Sequence, residues 1–178
     1  MLLTGVVSGS RGEPIAGARV SVAGRSESIT TDDKGAFSIE SAAHRVARLI
    51  ITPPVQSDYA STHVWVWRFR GPLAISAPPG ATLDLEGFPA DQGHYVGWQP
   101  TAWTAWRQGL FGAGQGGHVF LREGRATVRG LRSGRYLLRL YRRTPSGETA
   151  GLGAKHIFVA QGSRQTLRFW SAVTAVRG

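Results

Sequence analysis

Residues 3–39, LTGVVSGSRGEPIAGARVSVAGRSESITTDDKGAFSI, alternate short apolar runs with glycine, proline and serine. Apolar residues recur at every second position after Gly17, which is typical of a half-buried β-strand. Asp32–Gly35 predicts a turn, because aspartate bonds nearby backbone N–H groups and glycine adopts positive φ. The pattern therefore predicts β-structure with one shared core. Its expected members are Val20, Val22, Phe37 and Ile39.

The order of turn residues and apolar residues in this stretch resembles the carboxypeptidase regulatory-like domain, a prealbumin-type β-sandwich. The positions that carry the resemblance are Gly5, Val7, Gly12, Pro14, Ile15, Gly17, Ala18, Val20, Val22, Thr31, Asp32, Gly35, Phe37 and Ile39. The resemblance implies a non-catalytic accessory module without a cofactor, in an extracytoplasmic or cell-surface system. It brings no catalytic residues with it.

The composition excludes several kinds of site. The chain has 178 residues and no cysteine, so a disulfide framework and a thiolate metal site are impossible. It also lacks asparagine, so an internal Lys–Asn isopeptide bond cannot form. No apolar run approaches the roughly 18 residues of a membrane span. Met1 runs directly into the first strand, so the sequence predicts no signal peptide.

The net charge of +10 comes almost wholly from arginine and is concentrated in the second half of the chain. Residues 79–178 carry thirteen basic and five acidic side chains, against eight and six in residues 1–78. Such an excess is typical of proteins with a polyanionic partner. A general bias of composition towards arginine is the alternative explanation.

The strand pattern continues beyond the first stretch. Val46–Ile51 predicts a strand, and His63–Phe69 predicts another with apolar residues on both faces. The alternation places Trp65, Trp67 and Phe69 on one face and Val64, Val66 and Arg68 on the other. We therefore expect a central or covered strand, with Trp65 and Trp67 in the core. The Pro/Gly cluster at 77–80 is the best candidate domain boundary.

The second half predicts a second sandwich, so the expected domains are 1–77 and 78–178, with one elaborated domain as the alternative. Thr82–Glu86 has the pattern of an edge strand, and 87–117 reads as an irregular Trp- and Gly-rich insertion with at most a short helix near 101–110. Residues 128–136 resemble a hairpin common in prealbumin-like modules. The remaining predicted strands are 118–122, 126–131, 135–143, 156–160 and 165–170. The expected fold class is all-β, with prealbumin-like antiparallel sandwiches in tandem.

No motif in the chain predicts catalysis. Gly112–Gly117 has the letters G-x-G-x-x-G, but a β-pattern follows where a dinucleotide site needs a helix. The five histidines are not at metal-ligand spacing, and Asp32 with Asp33 falls short of the ligands that calcium takes. We expect no metal, no catalytic residue and no enzyme activity. An enzyme with a metal site assembled from distant residues is the alternative.

Two surfaces remain as candidate binding sites. The first is aromatic and consists of Tyr95, Trp98, Trp103 and Trp106. Exposed flat rings stack on sugar faces, and starch-binding modules share this general architecture. The segment Trp98–Trp106 is therefore a candidate carbohydrate-binding surface. Alternatively, these indoles close an open end of the sandwich and bury the large area that aromatic residues usually bury.

The second candidate surface is basic. Arg135, Arg139 and Arg143 fall on one face of the predicted strand 135–143, together with Leu137 and Tyr141. The opposite face carries Tyr136, Leu138 and Leu140. The arginines could bind a polyanion, or they could form a solvated outer face with guanidinium groups lying over one another's apolar stems.

The sequence thus predicts a structural spacer or binding module of a larger extracytoplasmic system. Its expected partners are carbohydrate or another protein domain, with a polyanion as a further possibility and nucleic acid disfavoured. A carbohydrate-binding module and an enzyme are the competing functions.

Overall fold

The computed structural model describes residues 2–41, 46–55, 57–67, 71–88, 93–107, 116–144 and 146–168, and only the backbone of 105–107. Within these residues the chain forms fourteen strands and one short helix. The elements of the first half are β1 (Leu2–Ser8), β2 (Arg19–Val22), β3 (Ser28–Thr30), β4 (Ala36–Glu40), β5 (Val46–Thr52), β6 (Thr62–Trp67) and β7 (Leu73–Ser76). Those of the second half are β8 (Ala81–Glu86), β9 (His94–Pro100), α1 (Ala102–Arg107), β10 (Gly117–Phe120), β11 (Ala126–Leu131), β12 (Gly134–Arg143), β13 (Thr149–Val159) and β14 (Arg164–Arg168). The all-β prediction and the short helix are confirmed.

The chain divides into two compact units. The first comprises residues 1–81 together with 129–132, and the second comprises 82–128 and 133–178. The domain boundary predicted after residue 77 lies just before this division and stays a prediction.

Each unit contains one three-stranded and one four-stranded sheet. In the first unit the strand orders are β4-β1-β7 and β3-β2-β5-β6. In the second they are β11-β8-β14 and β10-β9-β12-β13, although Ala81 of β8 and residues 129–131 of β11 are grouped with the first unit. When the strands of each unit are numbered from one to seven, both units have the orders 4-1-7 and 3-2-5-6. The second unit therefore repeats the topology of the first strand for strand, a repeat that is not visible in the sequence.

Antiparallel sheets were expected, but two of the sheets each contain one parallel pair of strands. β1 runs parallel to β7, and β8 runs parallel to β14. A parallel pair needs a long crossover connection. Here each crossover contains the five strands that lie between the paired strands in sequence, and that of the second unit also contains α1. The first and last strands of each unit thus lie side by side.

The core of the first unit contains residues from both of its sheets. Phe37 and Ile39 of β4 are 5% and 4% exposed, and Val20 and Val22 of β2 are 0% and 6% exposed. All four belong to one apolar cluster, as the alternation of residues 18–39 predicted. The second unit buries the inward face of β8 and the inward face of β12. These buried residues are Leu83, Leu85, Tyr136, Leu138 and Leu140.

Three predictions about individual strands are wrong. β6 is an edge strand, and Trp65 and Trp67 are 63% and 72% exposed, whereas Val66 between them is buried. The pleat allows only one face of β6 into the core, and that face carries the smaller valine. Thr82–Glu86 forms the central strand β8 rather than an edge strand. The supposedly irregular segment 87–117 contains β9, which lies between β10 and β12. Phe69, Arg68, His44 and most of the glycine run 112–117 lie outside the described residues.

His63 on β6 predicts a pH dependence of stability. Both ring nitrogens are shielded from solvent and have no hydrogen-bond partner among the described residues. Burial, followed by the positive charges of Arg132 and Arg48, lowers the pKa of His63 from 6.5 to about 4. Between these two pH values His63 is protonated in the unfolded chain and neutral in the folded chain. The stability is therefore highest above pH 6.5 and falls as the pH is lowered towards 4.

We expect His63 to account for a loss of about 1–2 kcal/mol between neutral pH and about pH 4.5, less than its full pKa shift implies because the side chain is partly exposed. Urea unfolding of wild type and His63→Phe at both pH values measures this loss. The variant should lose less stability on acidification than wild type. An equal loss in both proteins would contradict the role of His63.

Candidate functional site

The outer face of the sheet β10-β9-β12-β13 is the candidate site in the second unit. The strand register brings Phe120 opposite Tyr95, and Tyr95 opposite Tyr141. His118 lies on the same face two residues before Phe120. Side chains from three strands therefore meet at one end of the sheet.

These four side chains form an aromatic cluster, defined here as Tyr95, His118, Phe120 and Tyr141. The rings of Tyr95 and Tyr141 are stacked, with centroids 5.1 Å apart and planes inclined by 19°. Phe120 lies 5.6 Å from Tyr95 and 5.7 Å from His118, between ring centroids. Phe120 is 53% exposed, so the cluster presents an apolar ring surface to solvent.

Gly97 makes room for the cluster. A Cβ atom added at Gly97 would come within 3.2 Å of the Tyr141 ring, which means that this ring lies over the backbone of β9. A side chain at position 97 would therefore crowd this ring, which is stacked on Tyr95. Gly97, which interrupts the strand pattern of β9 in the sequence, is therefore part of the site.

The basic residues are placed as the sequence predicted. Arg135, Arg139 and Arg143 are exposed on β12, whereas Tyr136, Leu138 and Leu140 are buried. Successive arginines are four positions apart, which corresponds to about 13 Å along a strand. The four strands of this sheet contain no aspartate or glutamate. Among the described residues, none of these three arginines forms an ion pair.

The aromatic cluster adjoins the basic row at Arg143. Tyr95, His118, Phe120, Arg143, Gly147 and Thr149 line an open pocket of about 270 Å³. At the other end of the sheet, Phe158 of β13 is opposite Arg135 and is 60% exposed. The face thus carries an aromatic group beside the first and the last arginine of β12.

Helix α1 is held against the start of β12. The backbone N–H of Arg135 donates to Oγ1 of Thr104 at 2.8 Å, and the backbone N–H of Thr101 donates to the carbonyl oxygen of Arg135 at 2.9 Å. Thr104 is 3% exposed, so this anchor is shielded from solvent. Trp103 on the same helix is 61% exposed. The side chain of Trp106 lies outside the described residues.

The structure does not bring the predicted aromatic residues together as one platform. Tyr95 and Trp98 lie on opposite faces of β9, because three positions separate them along a strand. Trp98 packs on Gly117, where an added Cβ atom would lie 2.4 Å from the indole. Sugar binding by Trp98 or Trp103 stays a prediction. The sequence analysis did not identify three other aromatic residues of this face, which are His118, Phe120 and Phe158.

Among the described residues, no three histidine, aspartate or glutamate side chains lie close enough together to hold a metal ion. Nor does any helix in that part of the chain have the length and apolar character needed to cross a membrane.

Residues 3–67 match the model of the carboxypeptidase regulatory-like domain, which confirms the resemblance predicted from the turn residues. The match ends at the last residue of β6. It is consistent with a non-catalytic accessory module. No curated protein matches the chain in sequence.

Among solved structures, the chain is similar to the minor pilin GBS52 of Streptococcus agalactiae, with 12% identity, a TM-score of 0.43 and coverage of 94% of this chain and 93% of that one. It is also similar to the shaft pilin SpaA of Lactobacillus rhamnosus GG, with 8% identity, a TM-score of 0.35 and coverage of 94% and 96%. The Bacillus anthracis TIE protein is 13% identical with a TM-score of 0.35. That comparison covers 94% of this chain but only 33% of the TIE protein, so this chain spans about a third of its length.

Proposed function

We propose that this chain is a non-catalytic accessory module of an extracytoplasmic system, and that it binds a polyanion through the outer face of the sheet β10-β9-β12-β13. The observation that carries this proposal is the open row formed by Arg135, Arg139 and Arg143. The sheet that carries the row contains no carboxylate to neutralise it. The extracytoplasmic location is proposed from the family match.

Several other arginines among the described residues are already paired. Arg164 contacts Asp84 at 2.7 Å, and Arg129 contacts Asp58 at 3.5 Å. The row on β12 has no such neighbours among the described residues, so its charge remains available to a ligand. A strand also holds its side chains in a straight line, which suits an extended polymer with regularly repeated anionic groups.

The aromatic groups favour a ligand with flat faces between its charges. The aromatic cluster lies next to Arg143, and Phe158 lies next to Arg135. Exposed rings beside guanidinium groups stack on sugar rings or bases while the cations bind the acidic groups. An acidic polysaccharide meets both requirements and is the ligand expected in an extracytoplasmic setting.

The triple variant Arg135→Ala, Arg139→Ala, Arg143→Ala should bind heparin at least tenfold more weakly at low salt. Fewer counterions are released when fewer arginines contact the polyanion, so the slope of log affinity against log salt should become clearly shallower. Heparin affinity measured over a series of salt concentrations gives both quantities.

The matched control replaces Arg11, Arg25 and Arg125 with alanine. These three side chains are exposed and lie in turns or loops. Replacing them removes the same total charge as the triple variant of β12. The control should keep most of the affinity and slope. If both variants weaken binding equally, the net charge rather than the β12 row is responsible, and the proposal is wrong.

A neutral carbohydrate is the second candidate ligand, and the exposure of Trp103 favours it. An indole that closed an open sandwich end would be buried, but this one is 61% exposed. Binding of a neutral glycan that is lost in Trp103→Ala and kept in the triple arginine variant would identify this surface.

A further inference from the structure

The outer face of the first unit's four-stranded sheet carries a second unexplained surface. We call Trp65 and Trp67 of β6, with Arg48 of β5, the tryptophan face. The register places Arg48 opposite Trp65, and Val46 opposite Trp67. All of these side chains point away from the core, because Ala47, Leu49 and Val66 at the intervening positions are buried.

The two indoles contribute little to the core of the first unit. Trp65 is 63% exposed and Trp67 is 72% exposed. Large aromatic side chains are normally highly buried, so adjacent exposed indoles on a rigid strand indicate a contact with something outside the fold. Trp65 and Trp67 are two residues apart on one strand, which puts their Cα atoms about 6.6 Å from each other.

The charge of the tryptophan face restricts what can bind there. The guanidinium carbon of Arg48 lies 5.8 Å from the centroid of the Trp65 ring, within the range of a cation–π contact. Arg19 on β2 is exposed on the same outer face. None of the strands β2, β3, β5 and β6 contains an aspartate or glutamate. The face is therefore both aromatic and basic.

A second copy of this chain is a poor partner for this face. A two-fold symmetric interface places the same patch on both sides, so the basic patch that contains Arg48 and Arg19 would meet the same basic patch of the second copy. Like charges brought together across an interface oppose association. A ligand with flat apolar surfaces and negative charges is complementary to the face in both respects.

We propose that the tryptophan face binds an acidic polysaccharide, with sugar rings stacked on Trp65 and Trp67 and a carboxylate bound by Arg48. The face is the topological counterpart of the basic aromatic face in the second unit, since both are the outer faces of 3-2-5-6 sheets. The proposal does not depend on the proposed function of that second face.

The test uses the full chain with oligosaccharides of polygalacturonate and hyaluronan, and with the methyl-esterified form of the galacturonate probe. Titration calorimetry measures the affinity, and tryptophan fluorescence reports stacking. Trp65→Ala with Trp67→Ala should weaken binding of the acidic galacturonate at least tenfold. Arg48→Gln should weaken binding of the acidic form about tenfold and leave binding of the methyl ester unchanged, since the ester keeps the sugar faces but lacks the charge.

Two variants serve as controls. Trp103→Ala removes an exposed indole in the second unit and should leave this binding unchanged. The triple variant of Arg135, Arg139 and Arg143 should retain the part of the binding that depends on Trp65, which separates this proposal from the proposed function. Trp67→Gln alone keeps the test decisive if the double tryptophan variant fails to fold.

Three results would overturn the proposal. The first is that wild type binds neither acidic probe. The second is that the tryptophan variants bind these probes as wild type does. The third is a wild-type dimer in light scattering that becomes monomeric in Trp67→Gln, which would identify the face as an interface between copies of the chain.

Discussion

Replacing Phe37 with alanine should lower the free energy of unfolding of the first unit by about 3–5 kcal/mol. Phe37 is 5% exposed and pairs with Gly5 of β1. A Cβ atom added at Gly5 would lie 2.8 Å from Cε1 of Phe37, so the ring rests directly on the glycine backbone. Gly5 has no side chain that could move into the space, and the cavity left by the substitution would persist.

Urea unfolding followed by circular dichroism measures the effect. The matched control is Val6→Ala on the adjacent strand β1, where the side chain is 41% exposed. It should lose less than about 1 kcal/mol, as exposed positions usually do. If the two units unfold in separate transitions, only that of the first unit should shift. A loss below about 1 kcal/mol for Phe37→Ala would contradict its place in the core.

Replacing Gly35 with alanine should destabilise the same unit by about 2–4 kcal/mol. Gly35 has a φ of 72°, and an added Cβ atom would lie 2.3 Å from the carbonyl oxygen of Val7. That oxygen accepts a hydrogen bond from the backbone N–H of Ile15 at 3.0 Å, and the N–H of Val7 donates to the carbonyl oxygen of Gly35 at 2.8 Å. The clash therefore cannot be relieved without breaking the link between the turn and β1.

Gly24→Ala separates the two causes of this loss. Gly24 has a φ of 82°, but an added Cβ atom would meet nothing within 4 Å. The Gly24→Ala variant should therefore lose only the stability that reflects the unfavourable backbone conformation, about 1 kcal/mol. Thermal and urea unfolding of both variants compares them directly. Equal losses would show that backbone conformation, and not the contact with Val7, determines the need for glycine at position 35.

The local pattern of the sequence predicted most of the strands, because alternation and turn residues act over short distances. It failed at β9, where Gly97 and Pro100 interrupt the pattern. Gly97 lies under the Tyr141 ring, which comes from a strand far along the chain. It also failed at Trp65 and Trp67, because an alternating pattern that is apolar on both faces does not indicate which face meets the core.

The candidate site was predictable in part for the same reason. The arginines of β12 lie on one strand, so their common face follows from a period of two. The aromatic cluster takes side chains from three strands whose register is set by tertiary pairing, and no spacing in the sequence relates Phe120 and Tyr95 to Tyr141.

Residues 129–132 belong to the first compact unit although they are encoded in the second half of the chain. Arg129 contacts Asp58, and an added Cβ atom at Gly130 would lie 2.9 Å from the carbonyl oxygen of Tyr59. During synthesis the N-terminal sandwich therefore acquires its last contacts only after residue 132 has left the ribosome. Domains ordinarily fold as units in the order of translation. Here four residues of the first unit are translated after residues 82–128, and a chain that ends before residue 129 would lack their contacts with Asp58 and Tyr59.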